Sequence, residues 1–138
     1  MEINFVDADT KDFDPELYIQ ILIAITKADR FNGAPEIRYV QNQAERLSLD
    51  FAKFWKTTDK TFAIEGSKVS RQTALVVLKD CIMLASLDKN FSLAEREKVY
   101  GYAEKLDIPR SDVDYLEKWL KAYTQLHEKW NSFVAASD

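Results

Sequence analysis

The sequence predicts an all-α protein, a compact multihelical bundle in which two similar halves pack around two central apolar helices. Three observations predict it. Gly and Pro number only three each in 138 residues, which leaves a chain of good helix formers. Apolar residues recur at three- and four-residue steps and do not alternate. Two stretches 59 positions apart repeat one another.

The first helix opens at "FDPELYIQILIAITKADR", where Asp14 suits the N-cap and Pro15 the first helical position. From Leu17 to Ile25 only Gln20 is polar, so this helix is apolar nearly all round and belongs at the centre of the bundle. The second, Pro35 to Leu47, is amphipathic, with Ile37, Val40, Ala44 and Leu47 on one side. A short third piece, Asp50 to Lys56, offers Phe51, Phe54 and Trp55 to the core. Residues 57–70, "TTDKTFAIEGSKVS", read as a linker or longer loop.

After the linker, "RQTALVVLKDCIMLASLD" is a second central helix, interrupted only by Lys79, Asp80 and Ser86 from Ala74 to Leu87. Ser92 and Glu95 have capping-box spacing and open the next helix, whose apolar face carries Val99, Ala103 and Leu106. Ser111 followed by Asp114 starts the last, where Leu116, Trp119, Tyr123, Leu126, Trp130 and Phe133 form a stripe. The chain is one domain, residues 1–138. Its first repeat covers about 14–56, the loop 57–70 and the second repeat about 71–136.

Sliding residues 14–50 onto 73–109 gives the identities Ile23/Ile82, Asp29/Asp88, Glu36/Glu95, Val40/Val99, Ala44/Ala103, Glu45/Glu104 and Leu47/Leu106 without a gap. Chance gives about two. A central helix apolar on every side cannot be buried within one such unit. Two units cover each other, and a pseudo-two-fold arrangement is expected.

The stretch "CIMLASLDKNFSLAEREKVYGYAEKLDIP" (81–109), with its weaker echo "IAITKADRFNGAPEIRYVQNQAERLSLD" (23–50), resembles the TerB-like, or tellurite-resistance, domain family. That fold also occurs at the N-terminus of a membrane-anchored DnaJ-type co-chaperone. The resemblance spans about residues 14–125. It implies an all-helical fold of two three-helix repeats, no catalysis, and association with stress-response and membrane-linked protein assemblies. It also implies divalent metal, Ca²⁺ or Mg²⁺, at acidic turn residues, here Asp29, Glu36, Asp88 and Glu95. This chain departs from the family in having Arg30 and Lys89 where Gly usually follows the Asp. A cation there competes with metal for the carboxylate.

The residues themselves leave two explanations open for the Asp-to-Glu spacing. An Asp at a helix C-terminus faces the negative end of the macrodipole, which a metal would offset, with Asn90 and Glu97 as further donors in the second repeat. Alternatively Arg30 and Lys89 supply the cation, the Asp caps turn amides, and Glu95 serves the capping box. An EF-hand does not fit: its sixth and twelfth positions, which need Gly and Glu, hold Leu93 and Val99, or Ala34 and Val40.

Other chemistry finds little support. His127 is the sole histidine and has no companion at zinc-ligand spacing. Cys81 lies inside an apolar helix and reads as a small core residue. No phosphate-cradling loop or nucleophile elbow is present, so no enzyme is expected. The net charge of −4 comes largely from residues 1–16, which hold six acids against Lys11, and no basic stripe suggests nucleic acid. One cysteine, no signal-peptide pattern and no apolar run of membrane length give a cytoplasmic protein without direct membrane insertion as the expectation. A protein partner is expected, with a homodimer one form of it. Tryptophans at helical spacing belong first to cores, but Trp130 and Phe133, near the chain's end, are candidates for a contact surface.

Overall fold

The computed structural model describes residues 12–28, 33–86 and 91–136. Among them are six α-helices, one 3₁₀ turn and no strand: α1 (Pro15–Ala28), α2 (Ala34–Arg46), α3 (Phe51–Thr57), the turn Gly66–Lys68, α4 (Arg71–Ala85), α5 (Leu93–Lys105) and α6 (Arg110–Ala135).

Helices α1 and α4 form the centre. Tyr18, Ile19, Ile21, Leu22, Ile23, Ala24 and Ile25 of α1 are buried, as are Ala74, Val77, Leu78, Ile82 and Ala85 of α4. Burial of each large aliphatic side chain stabilises the fold by roughly 1.5–3 kcal/mol. The two rods pack on each other; α1 also carries α2 and α3, while α4 carries α5 and α6. Asp14 caps α1, its Oδ1 accepting from the Leu17 amide at 3.1 Å. The residues just before α1 are stitched to the start of α4. Asp12 N–H donates to Gln72 Oε1 (3.1 Å), Asp14 N–H to Thr73 Oγ1 (2.9 Å), and Ser70 Oγ to the Asp12 carbonyl (2.6 Å).

The 59-residue register carries into local geometry. Helix α5 begins and ends 59 positions after α2, and α6 begins 59 after α3. Both amphipathic helices leave through a left-handed residue, Ser48 and Asp107, each at φ 59°. Both exits are closed alike, Leu49 N–H donating to the Ala44 carbonyl (2.9 Å) and Ile108 N–H to that of Ala103 (2.8 Å). Helix α4 departs from the register by starting early, capped at Ser70, whose Oγ accepts from the Thr73 amide.

Two sequence expectations need correction. The last helix starts at Arg110 with Pro109 in the N-cap place and no side-chain cap, not at Ser111. The left-handed exit at Asp107 already delivers the chain to Pro109, whose extended ψ of 151° leads into the first turn. The linker is also less loose than its composition suggested. Phe62, Ile64 and Val69 pack on the core, and Thr58 is buried. Lys27, at the end of α1, donates to the carbonyls of Trp55 and Thr58 (2.7 Å to the latter) and lies 4.5 Å from the Trp55 ring centre. Its ammonium thus caps the negative end of α3.

Candidate functional site

Three places gather chemistry: a cleft between the halves, a buried acid, and the outer face of α6.

The cleft is lined by α1, α2, α4 and α5, and its walls follow the repeat. Leu22 and Cys81, Ile25 and Leu84, Thr26 and Ala85, and Glu36 and Glu95 all line it, each pair 59 positions apart. Two of the four carboxylates that the sequence singled out, Glu36 and Glu95, therefore line one cleft. Both occupy the third position of a helix, where the positive end of the dipole favours an anion. They differ in how they are held. Glu95 Oε1 accepts from the Ser92 amide and Ser92 Oγ from the Glu95 amide, both at 3.1 Å, which completes the expected capping box. Helix α2 has Gly33 at its N-cap and no side-chain cap. Glu36 folds back over that glycine, so close that a Cβ there would stand 2.6 Å from Oε2, and this oxygen is buried without a hydrogen-bond partner. Lys98 and Tyr102 complete the polar rim. The volume, about 40 Å³, gives room for a few waters.

Among the described residues, no group of three or more His, Cys, Asp or Glu side chains is placed to hold a metal ion. Asp29 and Asp88, with Arg30, Lys89 and Asn90, lie outside the described residues, as does the acidic stretch 1–11. Among the described residues Glu36 and Glu95, with Lys98 beside them, offer two hard oxygen donors at the cleft, where Ca²⁺ or Mg²⁺ takes six or more. Cys81 is half-buried against the core and lines the cleft.

The buried acid is Asp80 of α4, which has no exposed surface. Its Oδ1 accepts from the Tyr39 hydroxyl of α2 at 2.7 Å and meets the Lys79 ammonium at 2.6 Å. Its Oδ2 accepts from the Tyr18 hydroxyl of α1. Burial lifts the carboxyl above its ordinary range, against the pull of Lys79 and the two hydroxyls. Burial, followed by the neighbouring acid, likewise pushes the Tyr18 hydroxyl well above the usual tyrosine value. One turn beyond Tyr39, Gln43 is fully buried with neither amide atom hydrogen-bonded. The sequence marked Lys79 and Asp80 as interruptions of an apolar run but offered no sign of Tyr18 and Tyr39 as partners.

The third place is α6. Its inner face, with Val113 and Leu120 buried, seats the first half of the helix. From Lys121 to Ala135 no side chain is buried. At 1.5 Å per residue that is about 22 Å of helix. Trp130 and Phe133, the predicted contact residues, are 62% and 72% exposed. The structure adds Tyr115 and Leu126, each 67% exposed, on the same side. Trp119, Tyr123 and His127 follow one another with ring centres 5.6 and 6.5 Å apart, the first pair tilted and the second parallel. Beside the first half of this stripe runs a shallow, mostly apolar groove, lined by Leu75, Val76 and Lys79 of α4 with Tyr115, Leu116 and Trp119 of α6.

No protein-family model matches the chain, and neither a curated protein nor a solved structure does. Among the described residues no helix is long and apolar enough to cross a membrane.

Proposed function

We propose that the chain is a non-catalytic helical module of the TerB-like kind its sequence resembles, and that it works by holding a protein on the aromatic face of α6. The exposed row of Tyr115, Leu126, Trp130 and Phe133 carries this reading. A soluble monomer seldom leaves so many large apolar groups contiguous in water, and Trp and Tyr dominate the centres of interfaces. The absence of catalysis is supported by how the other polar groups are used. Asp80 is closed in by its own tyrosines and lysine, and the cleft between the halves measures about 40 Å³. The resemblance points to a stress-response or envelope-linked assembly as the setting.

Affinity capture from the native cell with wild type and with Trp130→Ala/Phe133→Ala tests it. Both residues are exposed, so the variant keeps its circular dichroism and melting temperature. It is expected to lose the proteins that wild type retains. Identical captured sets would overturn the reading.

Divalent-metal binding is the second reading, favoured by the convergence of Glu36 and Glu95 on one cleft with an unpaired Glu36 oxygen. Calorimetry with Ca²⁺, Mg²⁺ and Mn²⁺ on wild type and Glu36→Gln/Glu95→Gln decides it. Heat in wild type that vanishes in the variant supports metal; no heat rejects it.

A further inference from the structure

The face of α6 has a groove at one end and a projecting tail at the other, both on one helix. We propose that its occupant is a second copy of this chain, with the two α6 helices packed antiparallel about a two-fold axis through the middle of the helix. The proposal rests on the interaction-module reading and names its partner.

Antiparallel pairing places the tail of each copy, with Leu126, Trp130 and Phe133, over the other's groove, with Tyr115 and Trp119 backed by Leu75 and Val76. Both unsatisfied surfaces are covered in one step, and the assembly closes at two. The spacing of the stripe is self-complementary. Trp119 and Trp130, like Tyr123 and Leu126, lie symmetrically about the point between residues 124 and 125, and Tyr115 and Phe133 are centred on residue 124. At about 100° per residue these six side chains fall within roughly 40° of one line along the helix. A two-fold axis at that point therefore sets Trp119 beside Trp130, Tyr115 beside Phe133 and Tyr123 beside Leu126.

The area is sufficient. With ~150–250 Å² per aromatic side chain, the exposed fractions of Tyr115, Leu126, Trp130, Phe133 and Val134 amount to roughly 500–600 Å² per copy. A pair then buries about 1,000–1,200 Å², the lower end of specific interfaces, where weak and transient pairs lie. The charge of α6 itself does not oppose the pair, because Arg110, Lys118, Lys121 and Lys129 balance Asp112, Asp114, Glu117 and Glu128 along the helix. One local cost remains. Lys118 and Lys129 lie on the same rim of the stripe, and antiparallel pairing brings each near the other's counterpart.

Sedimentation equilibrium of the full chain, over a concentration series, is the test. A mass rising from 16.0 kDa to about twice that value is expected. Trp130→Ala/Phe133→Ala should raise the dissociation constant at least about tenfold without changing the circular dichroism. Lys129→Glu should tighten the dimer about two- to fivefold by pairing with the partner's Lys118, and Lys118→Glu/Lys129→Glu should lose that gain. A monomer at all concentrations, or a dimer indifferent to these changes, overturns the proposal. If the chain is monomeric but Trp130→Ala/Phe133→Ala still loses captured proteins, the second copy is wrong and the module reading stands. If capture is unchanged as well, both fall.

Discussion

At the scale of single residues, Asp80 sets the polar character of the interior. It draws a hydroxyl from α1, a hydroxyl from α2 and the ammonium of its own neighbour into one knot. Such a knot adds little over a well-packed apolar core, but breaking it strands buried polar partners. Asp80→Ala is therefore expected to cost about 3–5 kcal/mol in urea unfolding. Tyr18 gives the knot a pH signature. Its hydroxyl keeps the proton to higher pH in the folded chain than in the unfolded one, where the ordinary value is 10.0. An acid raised in this way contributes stability that is intact below the unfolded value and is lost as pH climbs through the folded one. The stability advantage of wild type over Tyr18→Phe should thus shrink above about pH 10 in denaturant titrations. Little of this was legible in the sequence. Lys79 and Asp80 stood out as charges in an apolar run, yet their partners come from helices far away in the chain. Two tyrosines facing one carboxylate are a product of packing.

At the scale of elements, the segment joining the halves behaves as a structural part. Gly66 lies so close to the end of α5 that a Cβ would stand 2.6 Å from the Lys105 carbonyl and 2.7 Å from Asp107 Oδ2. Backbone cannot move aside as a flexible side chain can. Gly66→Ala is expected to destabilise by about 1–3 kcal/mol. Gly101, in the interior of α5, has nothing within 4 Å of its missing Cβ. Gly101→Ala should instead stabilise by about 0.4–1 kcal/mol, since alanine restricts the unfolded chain and favours the helix. Opposite shifts in melting temperature would show both effects. The helices themselves were readable because caps and apolar spacing are local signals: Asp14 with Pro15, Ser92 with Glu95. The composition of the linker hides its packing because Gly, Ser and Thr announce turns, whereas the packing of Phe62, Ile64 and Val69 depends on surfaces that exist only after folding. The start of α6 was misplaced for a related reason. Ser111 looks like a cap, but the exit from α5 had already committed the chain one step earlier.

At the scale of the whole molecule, the halves depend on each other because α1 and α4 supply much of each other's cover. Neither half can keep its central rod dry alone. The chain should unfold in one transition. Fluorescence offers a direct check, since Trp55 belongs to the first half and Trp119 and Trp130 to the second. A variant retaining only Trp55 and one retaining only Trp119 should each report a urea midpoint equal to that variant's own circular-dichroism midpoint. Separate midpoints would mean that the halves are independent. The 59-residue register is visible along the sequence as seven identities, and the bounds of α2 and α5 follow it while α4 starts early. The meeting of Glu36 and Glu95 at one cleft is not visible there, because register alone gives equivalent positions and not adjacent ones.

The stitching of Asp12 and Asp14 to Ser70, Gln72 and Thr73 has a mechanical consequence. Tension applied ahead of residue 12 enters both central rods at once and must shear these bonds before α1 can peel. At the other end, no side chain from Lys121 to Ala135 is buried. A tether attached there loads one helix lengthwise and leaves the body of the molecule unstrained.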